Sequence, residues 1–150
     1  MSTRLQVDVV AQRMNVWENE CLVTTYPVST SRFGLGSEEG SFRTPTGRFT
    51  ICEKIGEGAP LGAIFHSRIP TGQVWHEGCS DEDAILTRIL WLDGCDAHNA
   101  NTRTRYIYIH GTPEEHLIGT PSSHGCIRMR NATIAELFER VTVGTEVVIG

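Results

Sequence analysis

The residues of this chain best suited to chemistry are Cys126, in the segment Ser123-His124-Gly125-Cys126, and His110, which is followed by Gly111. A thiol is a good nucleophile only as its thiolate, and a neighbouring imidazole is the usual means of generating one at neutral pH. The two residue types together therefore predict a nucleophilic cysteine with His110 as its general base. Such a pair is typical of enzymes that transfer acyl groups.

The residues beside Cys126 suit the same chemistry. Gly125 has no side chain, so a substrate carbonyl could approach closely, and consecutive backbone N–H groups there could form an oxyanion hole. Arg128 is a candidate partner for a substrate carboxylate. The alternative for Arg128 is a structural ion pair, and the sequence leaves both open.

A predicted strand and a loop would have to position this pair. Residues 106–109 are all aromatic or β-branched, which predicts a strand in which Tyr106, Tyr108 and His110 project from one face. The loop over residues 112–122 is rich in Pro, Gly and Ser and could fold back. We therefore expect it to bring Cys126 alongside His110.

The rest of the chain predicts one mainly β domain over residues 1–150. A single helix is expected after the cysteine, capped by Asn131 or Thr133 and ending at Arg140, because apolar residues recur there at helical spacing. Short alternating or apolar runs predict further strands. These runs lie at residues 5–9, 14–17, 22–26, 49–52, 63–65, 86–92 and 146–149.

Composition excludes some classes of partner. The chain has 13 basic and 18 acidic residues, a net charge of −5, which argues against a nucleic-acid partner. The first fourteen residues contain no apolar core suited to a secretory signal, and no run approaches a membrane span. We expect a cytoplasmic location, or a periplasmic one if an export signal has been lost, and the oligomeric state stays open.

Two further groups of cysteine and histidine have zinc-like spacing. His76 and Cys79 form an HxxC pattern, and Cys95 and His98 form a CxxH pattern. The apolar segment 86–92 lies between them and could hold them apart. We predict no metal and no cofactor, with a structural zinc as the alternative.

The segments His110-Gly111-Thr112 and Ser123 to Met129 resemble the catalytic motif of the L,D-transpeptidase family, the YkuD domain. The similarity extends to residues 26–30, 44–49 and 86–92, and so covers nearly the whole chain. The resemblance implies a β-sandwich-like domain with L,D-transpeptidase activity.

The resemblance also implies a role for each site residue. Cys126 would carry a thioacyl intermediate, with His110 as general base and the Gly111 carbonyl orienting its imidazole. The N–H groups of Gly125 and Cys126 would hold the oxyanion. Residues expected to contact the substrate are Ser123, His124, Arg128 and Tyr108.

The substrate implied is a peptidoglycan stem peptide or muropeptide, attacked between the L-centre of a diamino acid and D-Ala. An amine acceptor would make the enzyme a transpeptidase. Water would make it an L,D-carboxypeptidase that trims tetrapeptides to tripeptides during recycling. A non-catalytic peptidoglycan-binding module is the alternative from another class, and it would not need Cys126.

Overall fold

The computed structural model describes residues 2–79 and 83–150. This part of the chain contains ten strands, one α-helix and two 3-10 turns, at Ala97–Asn99 and Glu115–Leu117. None of its helices has the length and apolarity needed to cross a bilayer. The strands are β1 Thr3–Asp8, β2 Arg13–Glu18, β3 Cys21–Pro27, β4 Gly47–Ile55, β5 Ala63–His66, β6 Ile69–Val74, β7 Ile85–Gly94, β8 Tyr108–Gly111, β9 Ile127–Met129 and β10 Glu146–Ile149, and the helix is α1 Asn131–Arg140.

All ten strands belong to one hydrogen-bonded sheet that branches at β7. Its main path runs β3-β2-β1-β10-β4-β7-β5-β6, and β8 and β9 extend from β7 off that path. Leu86 pairs with both β5 and β8, and Leu90 pairs with both β4 and β8. Strand β8 therefore lies along one edge of β7, with β4 and β5 along the other.

Strand β7 is buried on both of its faces. Leu90 and Leu92 belong to the main core, which also includes the apolar side of α1. Ile89 belongs to a smaller apolar cluster on the opposite side of the strand. Burial on both sides explains why this segment reads as a nearly continuous apolar run rather than as an alternating one.

The prediction of a mainly β, sandwich-like fold with one helix after the cysteine is confirmed. Three local differences have physical causes. Tyr106 lies outside β8 because its φ is 57°, a left-handed conformation that cannot continue a strand, and its side chain is 53% exposed. Strand β6 contains Pro and Gly and is exposed throughout, and β9 is only three residues long, so neither had a recognisable pattern.

The prediction that Asn131 or Thr133 caps α1 is wrong. The N-cap position is Arg130, which makes no side-chain capping bond. The Glu115 carboxylate accepts a hydrogen bond from the Asn131 backbone N–H at 2.8 Å instead. A distant carboxylate thus supplies the acceptor and the negative charge that a helix N-terminus favours.

We predict that Glu115→Ala lowers the free energy of unfolding by about 1 kcal/mol, because it leaves this first N–H without its acceptor. Urea unfolding followed by circular dichroism measures the change. Glu38→Ala, which removes the same charge from an exposed loop, is the matched control and should change stability by less than about 0.5 kcal/mol. Equal effects of the two substitutions would contradict the capping role.

Candidate active site

Strands β8 and β9 run parallel, and their register places Ile109 beside Ile127 and His110 beside Arg128. Both isoleucines face the main core. Because alternate residues of a strand face opposite sides, Tyr108, His110 and Cys126 face the other side. Positions 108 and 110 lie about 7 Å apart along the strand. The pairing therefore brings the predicted nucleophile and base to one face.

The thiol of Cys126 is held by the backbone of the preceding segment. Its Sγ accepts a hydrogen bond from the Tyr108 N–H at 3.3 Å and donates one to the Tyr106 carbonyl at 3.4 Å. Burial raises the pKa of the thiol to about 11, although the Tyr108 N–H and the charges of Arg128 and Arg105 act to lower it. The resting group at neutral pH is thus a thiol.

The imidazole of His110 is buried and oriented by the next residue. Its Nδ1 lies 2.6 Å from the Gly111 carbonyl oxygen, the contact that the resemblance implies. The carbonyl can only accept, so Nδ1 carries the proton and Nε2 is left as the acceptor. Burial lowers the pKa of His110 to about 4, the Gly111 carbonyl acts to raise it, and the charge of Arg128 acts to lower it. The ring is therefore neutral at pH 7.

Within the described residues, Sγ hydrogen-bonds with the two backbone groups and not with the imidazole. The hydrogen bond between Sγ and the Nε2 of His110 therefore has to form when a substrate binds. Catalytic hydrogen bonds often tighten only when substrate binds.

The Gly111 carbonyl is fixed by a network behind it. A Cβ at Gly111 would lie 2.3 Å from Asn131 Oδ1 and 2.7 Å from the Leu86 carbonyl oxygen, so no side chain fits there. Asn131 donates to the Thr112 carbonyl at 2.9 Å and accepts from the Thr87 hydroxyl at 2.7 Å. The first residue of α1 and a residue of β7 thus hold the segment that orients His110.

The loop before Cys126 is held in place by the hydroxyl of Ser123. The Ser123 Oγ donates to the Cys126 carbonyl at 2.6 Å and accepts from the Gly125 N–H at 3.2 Å. Two expectations are corrected by this geometry. Ser123 is only 1% exposed and positions the loop rather than lining a pocket, and the Gly125 N–H is engaged instead of being open to an oxyanion. The role of the Cys126 N–H stays a prediction.

His124 is exposed at the rim of the site. Its ring lies 5.9 Å from each of the exposed rings of Phe33 and Phe42, measured between centroids. Its Nε2 contacts the guanidinium of Arg32, and its Nδ1 lies 3.5 Å from the Asp83 carboxylate. This position is compatible with substrate contact.

The side chain of Arg128 is buried and forms ion pairs within the protein. It is 3% exposed, and its guanidinium pairs with Asp83 at 2.7 Å and with Glu114 at 2.9 Å. A third contact, at 3.4 Å, reaches the Ser122 carbonyl. Both terminal nitrogens are therefore occupied, and the structural ion pair replaces the predicted substrate contact.

Tyr108 connects the site to residues that sequence reasoning missed. Its hydroxyl accepts a hydrogen bond from Arg68 at 3.0 Å, and its ring packs edge-on against Trp91 at 5.7 Å. Arg105 donates to the Arg43 carbonyl at 2.7 Å, and its charge acts to lower the pKa of Cys126. No motif marks these arginines: Arg68 reaches the site from the turn between β5 and β6, and Arg105 directly precedes Tyr106 in the chain.

An apolar cavity of about 430 Å³ lies beside the nucleophile's cluster. Ala63 and Phe65 line this cavity and also belong to the apolar cluster against which Cys126 packs. The hairpin of β5 and β6 forms one wall of it. The cavity therefore borders the face that carries the predicted nucleophile.

The HxxC and CxxH patterns do not converge on a metal site. Across residues 2–79 and 83–150, no three His, Cys, Asp or Glu side chains form a group that could hold a metal ion. His98 lies 2.8 Å from the Thr46 carbonyl oxygen through Nε2, and His76 lies 2.9 Å from the Glu77 carbonyl oxygen through Nδ1.

Comparisons with known proteins identify relatives of this chain. The putative L,D-transpeptidase YqjB of Bacillus subtilis is 42% identical to this chain over 74 residues. The match covers 49% of this chain and 39% of that protein. The putative L,D-transpeptidase YkuD of Bacillus licheniformis is 27% identical over 147 residues, 97% of this chain and 64% of that one. This chain therefore spans only part of the length of its curated relatives.

A solved structure of LdtMt1, an L,D-transpeptidase in complex with imipenem, shares the fold. It has a TM-score of 0.62 and 21% identity, and the match covers 99% of this chain and 59% of that one. The sequence profile of the YkuD L,D-transpeptidase catalytic domain matches residues 2–149. A match over nearly the whole sequence shows that this chain belongs to the L,D-transpeptidase catalytic domain family.

Proposed function

We propose that the chain transfers the acyl group of a peptidoglycan stem peptide through a thioester on Cys126. The observation that carries this proposal is the buried His110, whose Nδ1 is fixed to the Gly111 carbonyl at 2.6 Å. That bond directs Nε2, the basic nitrogen, away from the backbone on the face that Cys126 shares. Membership of the L,D-transpeptidase family supports the same substrate class.

The first half of the reaction forms the thioester. Cys126 Sγ attacks the carbonyl carbon of the diamino acid, and its proton passes to Nε2 of His110. The tetrahedral intermediate collapses, the C–N bond to D-Ala breaks, and the leaving amine takes the proton from His110. Since the resting thiol and imidazole are both neutral, the proton transfer accompanies the attack rather than preceding it.

The second half regenerates the thiol. An amine or a water molecule loses a proton to Nε2 of His110 as it attacks the thioester carbonyl. The C–S bond then breaks, and Sγ recovers the proton. The same acyl-enzyme thus serves transpeptidation and carboxypeptidation, and the acceptor alone distinguishes them.

We predict that imipenem acylates Cys126, since a strained β-lactam ring offers the same nucleophile a reactive carbonyl and a relative forms a complex with this compound. Intact-protein mass spectrometry should show one adduct on the wild type and none on Cys126→Ala. His110→Gln should slow acylation roughly 100-fold or more, because the general base is lost.

Cys95→Ala, which removes an exposed thiol, is the control and should be acylated as the wild type is. An adduct that persists in Cys126→Ala would contradict the assignment of the nucleophile.

The pH dependence of acylation tests the protonation states. His110 accepts a proton only when neutral, so with a pKa of about 4 the rate should be constant from pH 8 to pH 5.5 and fall as the pH drops through about 4. An ordinary histidine pKa of about 6.5 would instead lower the rate about tenfold at pH 5.5. Stopped-flow measurement of imipenem ring opening distinguishes the two, with circular dichroism at each pH confirming that the fold is intact.

The acceptor is identified by incubation with a disaccharide-tetrapeptide, with and without a D-amino acid. Loss of D-Ala alone indicates a carboxypeptidase, whereas exchange of D-Ala or formation of dimers indicates a transpeptidase. Cys126→Ala should be inactive in both assays. Binding of the muropeptide without turnover by the wild type would support the non-catalytic module instead.

A further inference from the structure

The hairpin of β5 and β6 turns through two residues in an uncommon conformation. Ser67 has a φ of 49° and Arg68 a φ of 66°, and both lie in the left-handed region. Two-residue turns of this kind strongly favour Asn-Gly or Gly-Gly, because a side chain is strained there. Strained positions of this sort concentrate at functional sites, and the tip of this hairpin carries two of them.

The guanidinium of Arg68 reaches β7 and the start of β8, the segment whose backbone binds the Cys126 thiol. It lies 4.9 Å from the Trp91 ring centroid and 5.0 Å from that of Tyr106, and it donates to the Tyr108 hydroxyl at 3.0 Å. Tyr106 and Tyr108 are the two residues whose backbone groups bond to the Sγ of Cys126. The guanidinium of Arg68 is therefore anchored to the side chains of the two residues whose backbone groups bind the thiol.

Arg68 differs from the other arginines near Cys126 in what it binds. Arg128 is paired with two carboxylates, and Arg105 donates to the carbonyls of Gly36 and Arg43. Among the described residues, Arg68 contacts a neutral hydroxyl and two ring faces, and no carboxylate lies within ion-pair distance of it. A guanidinium stacked on aromatic rings keeps its planar edge available to a carboxylate.

We infer that Arg68 is a specificity-determining residue that binds a free carboxylate of the donor peptide close to the scissile bond. The inference rests on the proposed function and deepens it, since it names the ionic form of the substrate that the site selects. Three carboxylates of a stem peptide could supply this chemistry: the C-terminus of D-Ala, the side chain of an acidic diamino acid, and the α-carboxylate of the γ-linked glutamate.

The test compares peptides that differ at one carboxylate. Kinetic parameters are measured for a tetrapeptide with all carboxylates free and for three analogues, each carrying one of them as its amide. For the wild type, one amide should lower kcat/KM roughly 10- to 100-fold, which corresponds to loss of a charged hydrogen-bonded pair. The carboxylate that is amidated in that analogue is then the one that Arg68 binds.

Arg68→Gln should lower kcat/KM for the free peptide by the same factor and turn over the identified amide as the wild type does, within about twofold. Arg103→Gln is the matched control, because Arg103 stacks on the same Trp91 ring at 5.1 Å while its charge acts on Cys52. It should retain the wild-type preference for the carboxylate.

Other results would overturn the inference. Equal losses for carboxylate and amide in Arg68→Gln would show that Arg68 only anchors the hairpin. Equal losses of kcat/KM in Arg68→Gln and Arg103→Gln would show that the positive charge of the region as a whole, and not Arg68 in particular, attracts the carboxylate. If Arg68→Gln matches the wild type on all peptides, the Arg68 assignment alone fails. If the wild type acts on none of them, the proposed function fails and this inference with it.

Discussion

The parallel pairing of β8 with β9 is the constraint on which the site depends. It directs alternate residues of two short strands to opposite sides, so that Ile109 and Ile127 anchor the pair in the main core. The same alternation commits His110 and Cys126 to the other face. Burial of the isoleucines thus fixes the register, and a slip of either strand by one residue would turn the reactive side chain of that strand into the core.

Burial also sets the resting chemistry of the pair. Desolvation disfavours charge on both groups, which raises the pKa of Cys126 and lowers that of His110. The backbone offsets part of this cost at each group, through the Tyr108 N–H and the Gly111 carbonyl. The structure therefore supports a neutral pair that becomes charged only when a substrate carbonyl is attacked. Nearby arginine charge, from Arg105 and Arg128, stabilises the negative charge that develops on sulfur.

Much of the fold could be predicted from the sequence because its signals are local. The apolar run in β7 and the helical spacing in α1 follow from burial of residues close in the chain. The selection of Cys126 and His110 as the candidate nucleophile and base could be made from residue types and motif. What could not be inferred depends on the folded structure: the left-handed conformation of Tyr106, the identity of the carboxylates that pair with Arg128, and the approach of Arg68 from another hairpin. No pattern within a window of sequence encodes these contacts.

The central claim is that Cys126 carries the acyl group during turnover. It is tested most directly by quenching the reaction with a tetrapeptide donor at early times, digesting the protein and weighing the fragment that contains Cys126. The account predicts a fragment heavier by the acyl group of the donor without its terminal D-Ala, and a return to the unmodified mass as an acceptor is added. Turnover of the donor with no mass added at Cys126 would contradict it.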